Sequence, residues 1–445
     1  MVTLPLGWFT RERVGQVSQI AVKGTTFVGT SSAHLVTPLV VNTTSALTVV
    51  VGLFVFDWRI GVAALAALAA VTERIGLTGT INSTFNEPYE VARQFASLAH
   101  LSEGRAAWNV VTSWDAFTGE NFRRGGFLAE DQRYERAKTF LQTALELFDS
   151  WRGDEIVADK TGGAFLSDPD AGAFAHTDSH FAIHGRFNVP RSPQGRPVIF
   201  QAGDSDEGRE FAASAADAIF SRHSTLEAGQ AFYTDVKGRL ARYGRRHDEL
   251  LILPAATFVI GDTDDEAADL AHEVRLAQVS GQTAIKFLEQ LWNRDLSDHD
   301  PDGPLPAVDP VVGENTIARG RASVRMFRDP LAIAAEWRAK AEAQNLTTRE
   351  LIVEVTGRQS FIGSPQTIAA TIDRFVQADA SDGFILVPHI TPGGLDPFVD
   401  RVVPLLQERG TYRTDYTGAT LRDHLGLAPL PRPAAHTNLS AEVAS

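Results

Sequence analysis

GLTGTINSTFNEPYEVARQFASLAHLSEGRAAWNVVTS, residues Gly76 to Ser113, reads as strand, polar loop, helix, strand and polar loop. Leu77–Ile81 is a β-prone run, and Asn82, Ser83 and Thr84 make a polar turn. Asn86 stands where it can cap a helix. Glu87 and Pro88 fill the first turn, where an acid suits the helix dipole and a missing N–H costs nothing. Val91, Phe95 and Leu98 fall at i, i+4 and i+7, one apolar helix face. Gly104 ends the unit, and Ala106–Thr112 is the next strand. Strand–helix–strand at this length implies parallel pairing through a right-handed crossover. Both strands end in hydrogen-bonding side chains: Thr80 with Asn82 to Thr84, then Asn109 with Thr112 and Ser113. Parallel α/β folds bind ligands outside the carboxyl ends of their strands, which puts Thr80 and Asn109 at a candidate site. The plainer reading makes Thr80 a β-branched strand residue and Asn109 a strand-end polar group.

Outward from this unit the pattern repeats. Val62–Arg74 is an Ala/Leu-rich helix. Gln132–Trp151 is another, with Ala137, Phe140, Leu141, Ala144, Phe148 and Trp151 on one face. Residues 152–196 are irregular with short strands. Pro197–Ala202 is a buried strand, Asp206–Ala216 a helix, Ala218–Ser221 a strand, Leu226–Tyr243 a helix and Leu250–Ile260 a strand. Residues 263–362 read as a helical insertion with a Pro/Asp loop near 296–312, followed by a helix over Gln366–Gln377, a strand over Gly383–Val387 and a last helix over Pro397–Gln407. The tail after Leu427 is rich in Pro, Ala and Ser and predicts a mobile end. Six strands are counted from Gly76 onward, so an eight-stranded barrel needs two more from residues 1–60.

Those first residues are the anomaly. They hold only Glu12 and Asp57 as acids, in a chain with 55 acids. The apolar run Ala46–Phe56 is too short to span a bilayer and comes too late for a signal peptide; it reads as a buried strand. Over the whole 445 residues, 44% are apolar and 22% charged, an ordinary globular balance. A net charge of −14 argues against nucleic-acid or anionic-membrane binding, though an anionic ligand needs only local donors. With no cysteine, disulfides, thiolate metal sites and Cys nucleophiles are excluded, and a reducing cytoplasmic setting fits.

Two further stretches carry candidate chemistry. In QAGDSDEG, Gln201–Gly208, a buried strand meets Gly203, Asp204 and Ser205 and then a helix; free helix N–H groups plus a hydroxyl make an anion site. Ordinary capping by Asp204 or Ser205 is the alternative. In EDQRY, Glu130 and Tyr134 share one helix face at i, i+4. Glu130 there is equally a helix-dipole acid, and Arg133 is either a phosphate counter-charge or an exposed helix arginine. His176, His180 and His184 lie four residues apart, but Gly172, Gly185 and Pro190 flank them. HFAIHGRFNV alternates as a strand, with all three on one face, and the span is too long for a compact metal site. No metal is expected. GxSxG, HExxH and Walker A motifs are absent.

Residues 62–427, above all NEPY…AR.FASL.HLS.GRA.WNVVTS, resemble the bacterial-luciferase-like FMN-dependent monooxygenases, in the branch of nitrilotriacetate monooxygenase component A and the dibenzothiophene-sulfone monooxygenases. The resemblance implies a (β/α)8 TIM barrel and a two-component enzyme. A separate NAD(P)H:flavin oxidoreductase supplies reduced FMN, which reacts with O2 to a C4a-(hydro)peroxyflavin that oxygenates a small organic substrate. It places Thr80 and Asn109 beside the flavin ring and the Gly203–Ser205 loop on the FMN phosphate. It places Tyr134 and the Glu130 position, a His in the family, near the flavin. Asp204 stands where a hydroxyl residue is common, so a carboxylate must turn away from the phosphate. Relatives form dimers or tetramers. The family has two βα units where residues 1–60 lie, and neither can be matched; a shifted reading frame or a misassigned start accounts for that break. The rival readings are an F420-dependent oxidoreductase of the same superfamily and a degenerate, non-catalytic flavin-binding barrel.

Overall fold

The computed structural model describes residues 58–113, 130–312, 329–357 and 360–433. The expectations for residues 1–57 and for the tail beyond 433 lie outside them.

Helix α1 (Trp58–Val71) leads into strand β1 (Leu77–Asn82), helix α2 (Pro88–Leu101) and strand β2 (Ala106–Val111). The pairing is parallel, with Thr80 opposite Asn109. Val91, Phe95 and Leu98 are buried, as their spacing requires. Asn86 does not cap α2. The N-cap is Glu87, without a side-chain bond, while Asn86 Nδ2 donates to Asn82 O at 2.8 Å and closes the turn instead. Trp108 is fully buried, stacks on Phe95 at 5.5 Å and donates Nε1–H to Ile81 O at 3.1 Å. Each such large side chain contributes about 1.5–3 kcal/mol on burial.

Helix α3 (Glu130–Asp149) packs along α2, burying Ala137, Phe140, Leu141, Ala144 and Phe148. Two hairpins follow, β3 (Ile156–Asp159) with β4 (Ala164–Leu166) and β5 (Ala173–Thr177) with β6 (Ala182–Arg186). The second breaks the expected single strand. His176 pairs opposite Ile183 and His184 opposite Ala175, so the two histidines face opposite sides and His180 sits in the turn between them. Asp178 makes that turn, its carboxylate accepting from the N–H groups of His180 and Phe181.

The main sheet continues with β7 (Val198–Ala202), α4 (Asp206–Ala215), β8 (Ala218–Ser221), α5 (Leu226–Arg239) and the ten-residue β9 (Leu251–Ile260). Then come α6 (Asp264–Gln278), α7 (Gly281–Trp292), α8 (Pro330–Gln344) and α9 (Thr348–Thr356). Here the strand count is corrected. Phe361–Gly363 is a further strand, β10, parallel to Phe258–Ile260 at the far end of β9, where a helical insertion was expected to run to 362. Three residues are too few to show a period of two. After α10 (Pro365–Gln377), β11 (Ile385–Val387) pairs with Ala255–Thr257 of the same strand. Short helices α11 (Asp396–Arg401), α12 (Val403–Glu408) and α13 (Leu421–His424) end the described chain.

Among the described residues the sheet has seven strands in the order β1-β2-β7-β8-β9-β10, with β11 also on β9, and every pairing is parallel. Helices cover one face, with Leu77, Ile81, Trp108, Val110, Ile199 and Ile219 buried beneath them. The register puts Thr80, Asn109 and Phe200 side by side on the other face, where Thr78 and Thr80 are exposed. Residues of α7, α8 and α9 form a hydrophobic cluster of their own around Leu288, Trp292, Trp337 and Leu351. No helix among the described residues is long and apolar enough to cross a membrane.

Candidate functional site at the carboxyl ends of the strands

Three loops meet at the carboxyl end of the sheet, and α3 joins two of them. Arg136, buried in α3, donates from Nε to Thr84 O at 3.0 Å and from Nη2 to Asn86 O at 2.9 Å, fixing the loop after β1. Two residues earlier, Tyr134 places its hydroxyl 3.3 Å from Ser205 Oγ, in the loop after β7. The i, i+2 offset turns these two side chains toward different neighbours on the same helix.

That second loop is built for close approach. Ser205 caps α4, its hydroxyl accepting from Gly208 N at 3.2 Å. The N–H groups of Asp206 and Glu207 have no partner inside the helix. A Cβ on Gly203 would sit 2.9 Å from Gly208 Cα, and one on Gly208 would sit 3.0 Å from the Tyr134 hydroxyl. Both glycines are therefore required by packing. The result is a cradle of backbone N–H, the Ser205 hydroxyl and the Tyr134 hydroxyl.

Asp204 is engaged by two neighbours. Its Oδ1 accepts from Arg209 Nη2 at 3.0 Å and from His223 Nε2 at 3.2 Å. Arg209 is itself anchored by Asp235 at 2.9 Å and lies over the Phe232 ring at 4.8 Å. Burial alone would lower the Arg209 pKa, but its hydrogen bonds to Asp235 and Asp204 outweigh it and raise the value. The next acid, Asp206, is held by Arg239 at 2.6 Å. Two of the loop's negative charges are thus neutralised from outside the cradle.

On the open face, Asn109 Nδ2 donates to Thr80 Oγ1 at 3.2 Å. Its Oδ1 is buried and has no partner among the described residues, and the same holds for Gln201 Oε1 at the end of β7. An orphaned buried oxygen costs about 1–3 kcal/mol unless something donates to it. Gln201 lies on the opposite, helix-covered face beside Val110 and Ile219. The Asn109 acceptor, the glycine cradle and the capped helix end suit a ligand with a ring bearing N–H donors and an anionic tail. A flavin mononucleotide has both.

The structure thus brings Tyr134, Gly203, Asp204 and Ser205 together in one loop cluster and Thr80 and Asn109 in a strand-end pair. Glu130 opens α3, and its side chain lies outside the described atoms. Arg133 is 5% exposed, so the exposed-arginine alternative fails. Sequence reading missed Arg136, Arg209, His223 and Gln201. His223, two residues past β8, was open to the strand-end rule applied to Thr80; Arg209 carries no such mark. His176 is held by Glu146 at 2.8 Å and Asp178 at 2.9 Å.

Comparison with known proteins gives one result. A family model described as luciferase-like monooxygenase matches residues 54–382. Nitrilotriacetate monooxygenase component A of Aminobacter aminovorans is 42% identical over 368 residues, 82% of this chain and 78% of that protein. N-acetyl-S-(2-succino)cysteine monooxygenase of Bacillus subtilis is 39% identical over 367 residues, 82% of this chain and 80% of that one. The crystal structure of DmoA from Hyphomicrobium sulfonivorans superposes with a TM-score of 0.67 at 31% identity, covering 82% of this chain and 74% of that chain. The parallel sheet is that of a (β/α)8 barrel, and the chain belongs to the luciferase-like monooxygenase family.

Proposed function

We propose that this chain is the oxygenase component of a two-component system, using reduced FMN and O2 to oxygenate a small organic substrate. The observation that carries the reading is the loop Gly203–Gly208. With Tyr134 beside it, it offers a capped helix N-terminus, two hydroxyls and two packed glycines, and its Asp204 and Asp206 are paired to Arg209 and Arg239. Reduced flavin, when bound, supplies the electrons that activate O2. The protein's own part is to hold and shield it.

In this reading Ser205 and the first N–H groups of α4 take the FMN phosphate, and Tyr134 orients Ser205. Arg209 and His223 keep Asp204 off the anion. Asn109 Oδ1 accepts from a ring N–H, with its amide aimed by Thr80. The helical stretch within 263–362, which packs around its own core, covers the barrel mouth and shapes substrate choice. A separate NAD(P)H:flavin oxidoreductase delivers the reduced flavin. The enzyme works in the cytoplasm as a dimer or tetramer.

The deciding experiment is anaerobic titration of the purified chain with reduced FMN, then rapid mixing with oxygen. Saturable binding and a return to oxidised flavin much slower than that of free flavin support the reading. Absence of binding, or reoxidation at the free-flavin rate, sinks it in favour of a degenerate barrel. Preferential binding of F420 under the same conditions assigns the other branch of the superfamily.

A further inference from the structure

We propose a second ligand site at the opposite, amino-terminal end of the sheet: a cavity for a small organic anion carrying two or more phosphate or carboxylate charges. The cavity is a half-open cleft of about 500 Å³, in the range of pockets that hold small ligands. Its position is fixed by contacts at strand starts. Gln194 Nε2 donates to Ala106 O, the first residue of β2, at 2.7 Å, and Leu421 N donates to Gly104 O at 3.1 Å. The Gly203–Ser205 loop lies at the other end of the strands, about 15 Å away for strands of this length. This inference therefore does not rest on the flavin reading.

The wall is cationic. Arg152, Arg191, Arg422 and Arg432 line it, with Asp423 as the carboxylate among the described lining residues. Asp423 is already engaged, its Oδ2 accepting from Ala419 N at 3.2 Å and Thr420 N at 3.0 Å. Those backbone bonds hold its pKa below the usual carboxylate value, so it stays an acceptor directed at the chain. The lining arginines pair with three aspartates, one of which is shared with Arg196 outside the lining. Asp149 serves both Arg191, at 2.7 Å, and Arg196, at 3.2 Å. Asp154 serves Arg432 at 3.1 Å and Arg152 only at 3.8 Å. Arg422 has Asp217 at 2.9 Å. Five guanidinium groups thus share three aspartates in these pairs.

Three buried atoms of the lining residues lack a partner among the described residues: the acceptor Gln194 Oε1, and Arg422 Nε and Ser192 Oγ. The last two are donors, and a ligand oxygen would satisfy them. Guanidinium forks match phosphate and carboxylate in geometry, and Pro193, Pro429 and Leu430 give an organic body apolar surface. The segment Thr420–Arg432 closes one side and is tied down by Arg432 on Asp154 and by Arg191 Nη2 donating to Pro431 O at 2.9 Å. A ligand between these arginines would bridge that segment to the barrel.

The test is isothermal titration of the full chain, presaturated with FMN in chloride buffer, with citrate and separately with pyrophosphate. Sub-millimolar binding of either probe is expected; citrate alone assigns a carboxylate ligand and pyrophosphate alone a phosphate one. The double variant Arg152→Ala/Arg432→Ala removes the two more exposed arginines and should weaken binding at least tenfold, while Ser205→Ala leaves it unchanged. Thermal melts of the double variant establish that it is folded. No binding of either probe, undiminished binding by the folded double variant, or loss of binding in Ser205→Ala would each overturn the proposal.

Discussion

Arg209 Nη2 donates to Asp204 Oδ1 at 3.0 Å, and this ion pair holds the carboxylate of the Gly203–Ser205 loop. A carboxylate free to swing inward would repel a phosphate, so the pair acts on ligand affinity through what it prevents. Arg209→Ala should weaken reduced-FMN binding roughly two- to fivefold, the size of an exposed ion pair. Asp204→Ser alone should be neutral or bind more tightly, and Asp204→Ser placed on Arg209→Ala should restore affinity. A double-mutant cycle on the FMN dissociation constant reads the coupling. Additive effects would show that Arg209 does not act through Asp204.

Gly203 and Gly208 touch backbone to backbone, and that contact brings the Tyr134 hydroxyl to Ser205. Gly208→Ala puts a methyl 2.9 Å from Gly203 Cα and 3.0 Å from the Tyr134 hydroxyl, so the loop must open. Overpacking of this kind costs about 1–3 kcal/mol. The expected result is a modest fall in melting temperature with at least a tenfold loss of reduced-FMN affinity. Gly238→Ala, which meets nothing within 4 Å, serves as the control. Equal losses in both variants would remove the packing argument.

Why some of this was legible in the chain and some was not follows from the range over which each signal acts. The β1–α2–β2 unit was readable because its apolar spacing is local and buries Val91, Phe95 and Leu98 as one face. The Ser205 cap was readable for the same reason. Asn86 misled because a short amide can close a turn as readily as cap a helix, and its Nδ2 donates to Asn82 O. The histidine strand failed at Asp178, whose side chain makes a turn that apolar alternation cannot reveal. Arg209 and Arg136 act on backbone and carboxylates that only the tertiary fold brings near.

Arg105 makes the same point for stability. All of its guanidinium N–H donors are used: Nε to Ser102 O, Nη1 to Ile75 O and Thr72 Oγ1, and Nη2 to Ala69 O and Thr72 O, at 2.7–3.1 Å. It thus satisfies the free carbonyls at the end of α1 and ties that helix to the start of β2. Arg105→Ala leaves those carbonyls buried and should cost about 3 kcal/mol. Lysine cannot reproduce the planar fork, so Arg105→Lys should recover less than half of the loss. Urea denaturation measures both. A cost under about 1 kcal/mol would mean the carbonyls find other donors.

His176 gives the β5–β6 hairpin a pH dependence. Burial disfavours its charge, but hydrogen bonds to Asp178 and Glu146 outweigh this, and the pKa rises above its ordinary value. A raised folded-state value means the imidazolium stabilises the fold fully below the unfolded pKa of about 6.5. That contribution is lost as pH rises through the higher folded value. Melting temperature should therefore decline from pH 6 toward pH 8.5, and His176→Gln should flatten that part of the curve. A decline of the same size in the variant would assign it to other groups.

The last prediction concerns the start of the chain. The family match begins at residue 54, and the composition changes from acid-poor to ordinary in the same region. The described sheet leaves Thr78 and Thr80 exposed on the face where Asn109 Oδ1 lacks a partner, a face that a closed barrel buries. We propose that the residues of 1–60 ahead of that match are not the family's own sequence and that a shifted reading frame accounts for them. Replacing them with the corresponding segment of nitrilotriacetate monooxygenase component A should then tighten reduced-FMN binding by at least tenfold and raise the melting temperature, because it returns strands and pocket wall to the open face. Sequencing the coding DNA is the independent check. An intact frame, together with tight flavin binding by the chain as it stands, would mean that residues 1–60 complete the barrel with a sequence of their own.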